Sequence, residues 1–243
     1  MRSLIILPTY NEIENIETVL TLVRATVPDA DILVIDDGSP DGTAERAEKL
    51  AIDLGNIEVL QRPRKSGLGS AYRLGFRTGI AQGYDTMVEM DSDLSHDPRA
   101  LPEILAPVAN GAALSIGSRY VPGGRIPNWS WLRRKISRLG NRYARLVLGL
   151  RVQDATAGYR AYSHAALAAI DLDAVRADGY GFQIEMAYQV QCNGGNIVEV
   201  PIEFRDRELG TSKMSSRIVV EALSLVTWWG IRDRVFRRGR RLT

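Results

Sequence analysis

Residues 86–96 read TMVEMDSDLSH and join a short apolar run to two aspartates, Asp91 and Asp93. The apolar run indicates a buried strand. Alternate side chains of an extended strand lie on one face, so we expect the two carboxylates to point the same way. Two hard oxygen ligands at a strand end suit Mg²⁺ or Mn²⁺ bound to a substrate phosphate. The alternative is that both aspartates cap the next helix. We favour the metal, because unpaired carboxylates are costly at the end of a buried strand.

Strand and helix patterns alternate around this stretch. Short apolar runs predict further strands at 3–7, 32–35, 57–60, 113–116 and 197–204, and helical spacing of apolar residues predicts helices that include 43–54, 67–83, 99–109 and 182–192. This alternation predicts an α/β fold with a doubly wound, mainly parallel sheet. Sites in such sheets lie beyond the carboxyl ends of the strands, and the polar segments 8–12, 36–37 and 91–93 fall there.

Two helices of the second half combine apolar stripes with basic residues. We predict them at 130–149 and 215–238, with tryptophans at 129, 131, 228 and 229. The combination is typical of a helix that lies among anionic lipid headgroups. Packing in the core or in a dimer contact is the alternative for both apolar stripes.

Charge is distributed unevenly along the chain. Residues 1–118 hold 10 Lys and Arg against 18 Asp and Glu, whereas residues 119–243 hold 21 against 11. We therefore expect the second half to meet an anion, such as a phosphate or a membrane surface. A nucleic acid is disfavoured, because the basic residues accompany aliphatic stripes and form no known binding motif.

The number of cysteines and the lengths of the apolar runs indicate the cellular compartment of the protein. Cys192 is the only cysteine, so no disulfide can form within the chain, which suits a reducing compartment. The apolar run near the N-terminus is too short for a signal peptide, and no uninterrupted run reaches the ~20 residues of a membrane span. We expect a cytoplasmic protein.

Five motifs together carry a family resemblance: PTYNE at 8–12, DDGS at 36–39, DSDLSH at 91–96, GSR at 117–119, and Arg207-x-x-Gly210-x-Ser212-Lys213. In this order and approximate spacing the sequence resembles the family-2 inverting glycosyltransferases of the GT-A fold. Within that family it is most similar to the dolichol- and polyprenol-phosphate mannose synthases. The resemblance implies a catalytic domain over 1–213, which includes an interfacial helix at 130–149, and an amphipathic basic helix over 214–243.

The resemblance also implies a role for individual residues. Asp91 and Asp93 match the metal and diphosphate motif for Mg²⁺ or Mn²⁺, and Ser95 stands where some members carry a glutamine ligand. Together with Asp91 and Asp93, Arg119 and Arg133 form the expected catalytic set. Nucleotide contacts are expected at Pro8, Tyr10, Glu12, Ile35, Asp36, Asp37, Arg207 and Lys213, with helix capping as the alternative for the two aspartates. The acceptor phosphate is expected at Arg119, Arg133 and Ser137, and the sugar pocket at Asp154, Thr156 and Glu185.

The implied reaction transfers mannose from GDP-mannose to a polyprenyl phosphate, with inversion, at the cytoplasmic face of a membrane. Some members carry C-terminal transmembrane helices that these residues lack, so we expect peripheral attachment or a membrane-protein partner. One alternative is a transferase that uses UDP-glucose with a polyprenyl phosphate or a hydroxyl acceptor. Glu185 would be the base for a hydroxyl, whereas an ionised phosphate needs no strong base. A second alternative is a non-catalytic, membrane-docked nucleotide-binding module.

Overall fold

A computed structural model describes residues 1–206 and 222–232. The strands are β1 (Ser3–Thr9), β2 (Asp31–Asp36), β3 (Ile57–Gln61), β4 (Thr86–Glu89), β5 (Leu114–Ser118), β6 (Arg160–Ser163) and β7 (Ile197–Pro201). The helices are α1 (Ile16–Thr26), α2 (Thr43–Leu54), α3 (Leu68–Ala81), α4 (Leu101–Ala109), α5 (Trp131–Leu148), α6 (His164–Ala168) and α7 (Gly179–Cys192). A further helix, α8, covers 222–232.

The seven strands form one sheet in the order β3-β2-β1-β4-β6-β5-β7. All neighbouring strands are parallel except β6, which runs antiparallel to both β4 and β5. The predicted α/β fold with a mainly parallel sheet is therefore confirmed. β6 lies between β4 and β5 and so separates the two parallel parts of the sheet.

Apolar side chains on both faces of the sheet hold the helices in place. One buried cluster contains residues of α3, α5, α7 and α8, and the other contains residues of α1, α2 and α4. Helix α3 lies very close to the sheet, since a Cβ atom at Gly75 would stand 2.6 Å from Cγ2 of Ile6. This close approach fixes the position of Tyr72, which lies in α3 one turn before Gly75.

The apolar run predicts the strand before the two aspartates at 86–90, and the observed strand is one residue shorter. β4 ends at Glu89, and Leu94 has a left-handed backbone with φ of 62°. The argument from strand alternation is therefore wrong for Asp91 and Asp93, because neither residue lies in the strand. A turn positions them instead, and it leaves 31% of the Asp91 side chain exposed while Asp93 is buried.

Helix α5 confirms the predicted helix at 130–149 and exposes much of its apolar stripe. Its large exposed apolar residues are Trp131, Leu132, Ile136, Leu139, Tyr143 and Leu146. α8 packs beside it, with a hydrogen bond of 2.7 Å between the hydroxyls of Tyr143 and Thr227. α8 buries Val226 and Trp229 yet exposes Trp228 and Ile231, so core packing accounts for only one of its faces. The other parts of the predicted 215–238 helix lie outside the described residues, and no described helix is long and apolar enough to cross a membrane.

Candidate active site

Hydrogen bonds connect the polar segments that follow β1, β2 and β4. Thr9 Oγ1 donates to Asp36 Oδ2 at 2.8 Å, and the Ser92 hydroxyl donates to the carbonyl of Pro8 at 2.8 Å. The backbone N–H of Asp37 also donates to the carbonyl of Thr9. The sequence prediction that these segments meet at one sheet edge is therefore confirmed.

The two aspartates that follow β2 have different partners. Asp36 is buried and accepts from the backbone N–H and the hydroxyl of Ser39, at 2.8 and 2.6 Å. Asp37 accepts from Nε of Arg62 at 2.5 Å and from the backbone N–H of Ser66 at 3.0 Å. The helix-capping alternative is wrong for both, because Asp41 accepts from the backbone N–H of Thr43 at the start of α2.

The other expected nucleotide residues form a wall beside these aspartates. Pro8 and Tyr10 are partly exposed, and the Lys65 ammonium lies 4.2 Å from the centre of the Tyr10 ring. Glu12 is buried and accepts from the side-chain amide of Asn15 at 2.9 Å. Ile35 is fully buried in the core, so its side chain faces no ligand. Arg207 and Lys213 lie outside the described residues.

Hydrogen bonds orient the two carboxylates of the turn after β4. Asp91 Oδ1 accepts from the Tyr72 hydroxyl at 3.2 Å, and Asp93 Oδ1 accepts from the backbone N–H of Ser95 at 3.0 Å. Burial, together with the charge of Asp91, raises the pKa of Tyr72 well above its usual value, so Tyr72 stays a neutral donor. His96 accepts from the backbone N–H of Asp91 at 3.1 Å and therefore supports the turn.

The oxygen atoms of this turn are suitable ligands for a divalent cation that also binds substrate phosphate. Ser95 Oγ is buried and has no hydrogen-bond partner among the described residues, which leaves a hard oxygen available beside Asp93. No group of three or more His, Cys, Asp or Glu in the described chain could hold a metal ion by itself. Mg²⁺ in nucleotide sites commonly takes one or two carboxylates and completes its shell with phosphate and water. The site therefore suits a cation that arrives with a nucleotide.

A buried polar layer supports the turn from behind. Glu89 is fully buried, and burial raises its pKa to about 7. Its Oε2 accepts from the side-chain amide of Gln183 at 2.7 Å, while Arg160 donates to the carbonyl of Gln183 at 2.7 Å. Sequence reasoning missed Gln183, since it belongs to no recognisable motif.

Arg119 lies in a buried ion pair with Asp154. Its Nε and Nη2 donate to the two carboxylate oxygens at 2.7 and 2.6 Å, and its backbone N–H donates at 2.9 Å. Burial alone would raise the pKa of Asp154, but the Arg119 guanidinium holds that pKa below its usual value. Both groups therefore remain charged, and the guanidinium is fixed in one orientation.

Of the residues expected in the sugar pocket, Asp154 forms this ion pair and Thr156 contacts it. Thr156 accepts from Nη2 of Arg119 at 2.8 Å, and the side-chain amide of Asn141 donates to Thr156 at 3.1 Å. The structure thus places Asp154 and Thr156 where they orient Arg119. Asn141, which sequence reasoning missed, connects this cluster to α5. Glu185 lies apart, where its carboxylate accepts from the backbone N–H of Ala177 at 3.3 Å and burial raises its pKa.

The three expected acceptor-phosphate residues converge around two aromatic rings. The Trp129 ring centre lies 3.9 Å from the guanidinium carbon of Arg133 and 5.4 Å from that of Arg119. Ser137 accepts from the Tyr120 hydroxyl at 2.7 Å, and the Tyr120 ring lies 5.5 Å from the guanidinium carbon of Arg119. Two cations and a hydroxyl therefore lie around these rings, with Arg119 buried and Arg133 partly exposed.

An apolar groove of about 250 Å³ begins at this region. Arg133, Ser137 and Thr156 lie at its polar end. The rest of the lining comes from α5, α7, α8 and the residues before α5: Trp129, Ser130, Leu132, Ile136, Gly140, Tyr180, Ile184, Ala222, Leu223 and Val226. The arrangement can bind a molecule that has an anionic head and a hydrocarbon tail.

Comparisons with known proteins agree with the fold and the motifs. The profile of glycosyl transferase family 2 matches residues 4–171. Over 96% of both chains, the sequence is 52% identical to an undecaprenyl-phosphate mannosyltransferase of Micrococcus luteus. It is 49% identical to a polyprenol monophosphomannose synthase of Mycolicibacterium smegmatis, over 97% of this chain and 89% of that one.

A solved structure extends the comparison to the fold. Glucosyl-3-phosphoglycerate synthase of Mycobacterium tuberculosis, in complex with Mn²⁺, UDP and glucosyl-3-phosphoglycerate, superimposes with a TM-score of 0.68. The match covers 93% of this chain and 78% of that one at 22% identity, so it shows a shared GT-A fold.

Proposed function

The chain belongs to glycosyltransferase family 2, and from that premise we propose that it transfers mannose from GDP-mannose to a polyprenyl phosphate, with inversion at the anomeric carbon. The named relatives are an undecaprenyl-phosphate mannosyltransferase and a polyprenol monophosphomannose synthase, and both matches cover nearly the whole chain. A UDP-glucose donor is the alternative that the proposed experiment distinguishes.

One observation carries the proposal, namely that Arg133, Ser137 and Thr156 line an apolar groove, with the buried Arg119 hydrogen-bonded to Thr156 behind it. A phosphomonoester would bind beside Arg119 and Arg133. The guanidinium of Arg133 would present N–H donors to the phosphate oxygens, whereas Arg119, whose Nε and Nη2 already donate to Asp154, would contribute mainly its positive charge. The hydroxyl of Ser137 would add a further hydrogen bond. The first isoprene units would then lie along Leu132, Ile136 and the other apolar residues of the groove.

The proposed reaction is a direct displacement. An oxygen of the acceptor phosphate forms a bond to the anomeric carbon while the bond from that carbon to the diphosphate oxygen breaks. The acceptor is already ionised at neutral pH, so no strong base has to remove a proton. Orientation of the phosphate by Arg119 and Arg133 would supply much of the rate enhancement.

The donor would bind at the sheet edge formed by β1, β2 and β4. In our proposal the nucleoside contacts Pro8, Tyr10 and the region of Asp36 and Asp37, while Glu12 holds the adjoining turn. Asp91, Asp93 and Ser95 would hold Mg²⁺ or Mn²⁺, and the Mn²⁺ and UDP bound by the fold relative support such a cation. A cation bound there would neutralise charge on the departing diphosphate. Arg207 and Lys213 would contact the same diphosphate.

The lipid acceptor requires the protein to work at a membrane surface. The exposed apolar residues of α5 lie between the exposed basic residues Arg134, Lys135, Arg138 and Arg142. We propose that α5 lies among anionic headgroups on the cytoplasmic face, with the exposed Trp228 of α8 beside it. The open end of the acceptor groove would then face the lipid.

The test is a transfer assay with short polyprenyl phosphate in detergent, Mg²⁺ or Mn²⁺, and either GDP-mannose or UDP-glucose labelled in the sugar. We expect labelled lipid from GDP-mannose, and labelled lipid from UDP-glucose alone would contradict the donor assignment.

The Glu185→Gln variant distinguishes a phosphate acceptor from a hydroxyl acceptor. We expect it to retain transfer, because a phosphate acceptor needs no base, whereas loss of transfer in a folded Glu185→Gln protein would favour a hydroxyl acceptor.

A further inference from the structure

Asp206 is an acidic residue at the acceptor site that no motif marks. Its Oδ1 accepts from Nη1 of Arg133 and from Nε1 of Trp129, both at 2.9 Å, and its Oδ2 accepts from Arg133 at 3.0 Å. The same Arg133 guanidinium stacks on the Trp129 ring. A carboxylate therefore already occupies two of the donors that face the expected position of the acceptor phosphate.

The two acceptor arginines are neutralised in different ways. Asp154, the partner of Arg119, is completely buried and receives three hydrogen bonds from that arginine. Asp206 keeps 35% of its side chain exposed, and its partner Arg133 keeps 28%. An exposed carboxylate can move into water at little cost, whereas a buried one cannot. The pair of Arg119 is therefore permanent, and the pair of Arg133 is exchangeable.

We propose that Asp206 is a specificity-determining residue that acts as an exchangeable counter-ion, which the phosphate of the acceptor displaces from Arg133 and Trp129. The inference rests on the proposed function, since it takes Arg133 to bind the acceptor phosphate. In this role Asp206 makes the acceptor site bind phosphomonoester lipids in preference to phosphodiester lipids.

The selection follows from charge. A phosphomonoester carries about −1.5 to −2 charges at pH 7, whereas a phospholipid phosphodiester carries a single negative charge. At a membrane rich in anionic phospholipid, an Arg133 without its counter-ion would attract those abundant headgroups. A carboxylate with one negative charge binds Arg133 about as strongly as a phosphodiester does, but the more highly charged phosphomonoester binds Arg133 more strongly than either. Asp206 therefore keeps the site available for the rarer acceptor.

The experiment compares Asp206→Asn with the wild-type protein in transfer assays. Asparagine keeps an oxygen that can accept from Trp129 and Arg133 while it removes the charge. The acceptor KM is measured in uncharged detergent micelles and again after addition of phosphatidylglycerol. In uncharged micelles we expect Asp206→Asn to lower the acceptor KM about two- to fivefold, the range that an exposed ion pair is worth. We also expect phosphatidylglycerol to inhibit this variant more strongly, with an unchanged KM for the nucleotide sugar.

Glu203→Gln provides the matched control. Glu203 also loses one negative charge in this variant and lies three residues away, but its carboxylate pairs with Arg205 instead of Arg133. We expect this variant to behave like the wild type in both lipid conditions, so that a general rise in positive charge is separated from the local effect. We expect Asp206→Glu, which keeps the charge, to retain most of the resistance to phosphatidylglycerol.

Two results would overturn the inference. A higher acceptor KM in Asp206→Asn with unaltered phosphatidylglycerol inhibition would mean that Asp206 only holds Arg133 in place. Equal behaviour of Asp206→Asn and Glu203→Gln would mean that the residue has no selective role. Failure of the proposed function is distinguishable, because the wild-type protein would then form no glycolipid. Direct binding of polyprenyl phosphate to both proteins in micelles, without donor, would still compare their affinities.

Discussion

Removal of the negative charge from Asp154 offers the most direct test of the buried Arg119 pair. In Asp154→Asn the guanidinium stays buried and loses its counter-ion, since Arg119 has only 5% of its side chain exposed and Asp154 has none. Loss of one partner from a buried ion pair typically costs about 3–5 kcal/mol of unfolding free energy. For a chain of this size that loss lowers the melting temperature by about 6–20 °C.

The assay is chemical unfolding followed by circular dichroism, with Asp206→Asn as the comparison. The Arg133–Asp206 pair is partly exposed, so its loss should cost no more than about 1 kcal/mol. Replacement of both buried partners, Arg119→Met with Asp154→Leu, should recover much of the stability while glycosyl transfer stays absent. An Asp154→Asn protein within about 1 kcal/mol of the wild type would refute the assignment of a buried charge pair.

The same pair predicts a dependence of stability on pH. The folded pKa of Asp154 lies below its usual value, because the Arg119 guanidinium outweighs the effect of burial. A lowered carboxylate pKa contributes stability that is fully present above the unfolded pKa and is lost as the pH falls towards the folded pKa. We expect the acid side of the stability profile to be flatter in Asp154→Asn, as measured by unfolding between about pH 5 and pH 2.

Three further changes test other parts of the molecule. Asp93→Asn should abolish transfer and weaken Mn²⁺ binding in the presence of nucleotide while the circular dichroism spectrum is kept, and full activity would contradict the metal assignment. Gly75→Ala should destabilise the protein by about 1–3 kcal/mol, because its Cβ would lie 2.6 Å from a β1 side chain. Gly140→Ala on α5 is the control, since its Cβ meets nothing within 4 Å, and thermal unfolding should show it to be neutral or stabilising. Leu146→Glu on the exposed face of α5 should reduce sedimentation with anionic vesicles, and Ile52→Glu on α2, at a residue that is 84% exposed, should leave it unchanged.

Local sequence patterns were sufficient to predict most elements of the fold. The spacing of apolar residues gave α2 its observed bounds and placed α5 within one residue at each end. Both helices have a regular stripe of apolar residues, and periodicity of this kind depends only on neighbours along the chain. The same reasoning failed after β4, because the chain turns there with a left-handed backbone at Leu94, and the spacing of apolar residues does not predict such a turn.

The sequence alone determined the family, the order of strands and helices, and the chemical type of each site residue, since motifs and periodicity are properties of short segments. Tertiary structure alone decided which charges neutralise each other. The partners Arg119 and Asp154 lie 35 residues apart, and Arg133 and Asp206 lie 73 apart. Because β6 runs antiparallel to β5, Asp154 before β6 lies at the same sheet edge as Arg119 after β5. Because β7 runs parallel to β5, Asp206 after β7 lies at the edge from which the chain continues to α5 and Arg133. Burial then distinguished the two pairs, which makes one arginine a fixed part of the site and the other an exchangeable one.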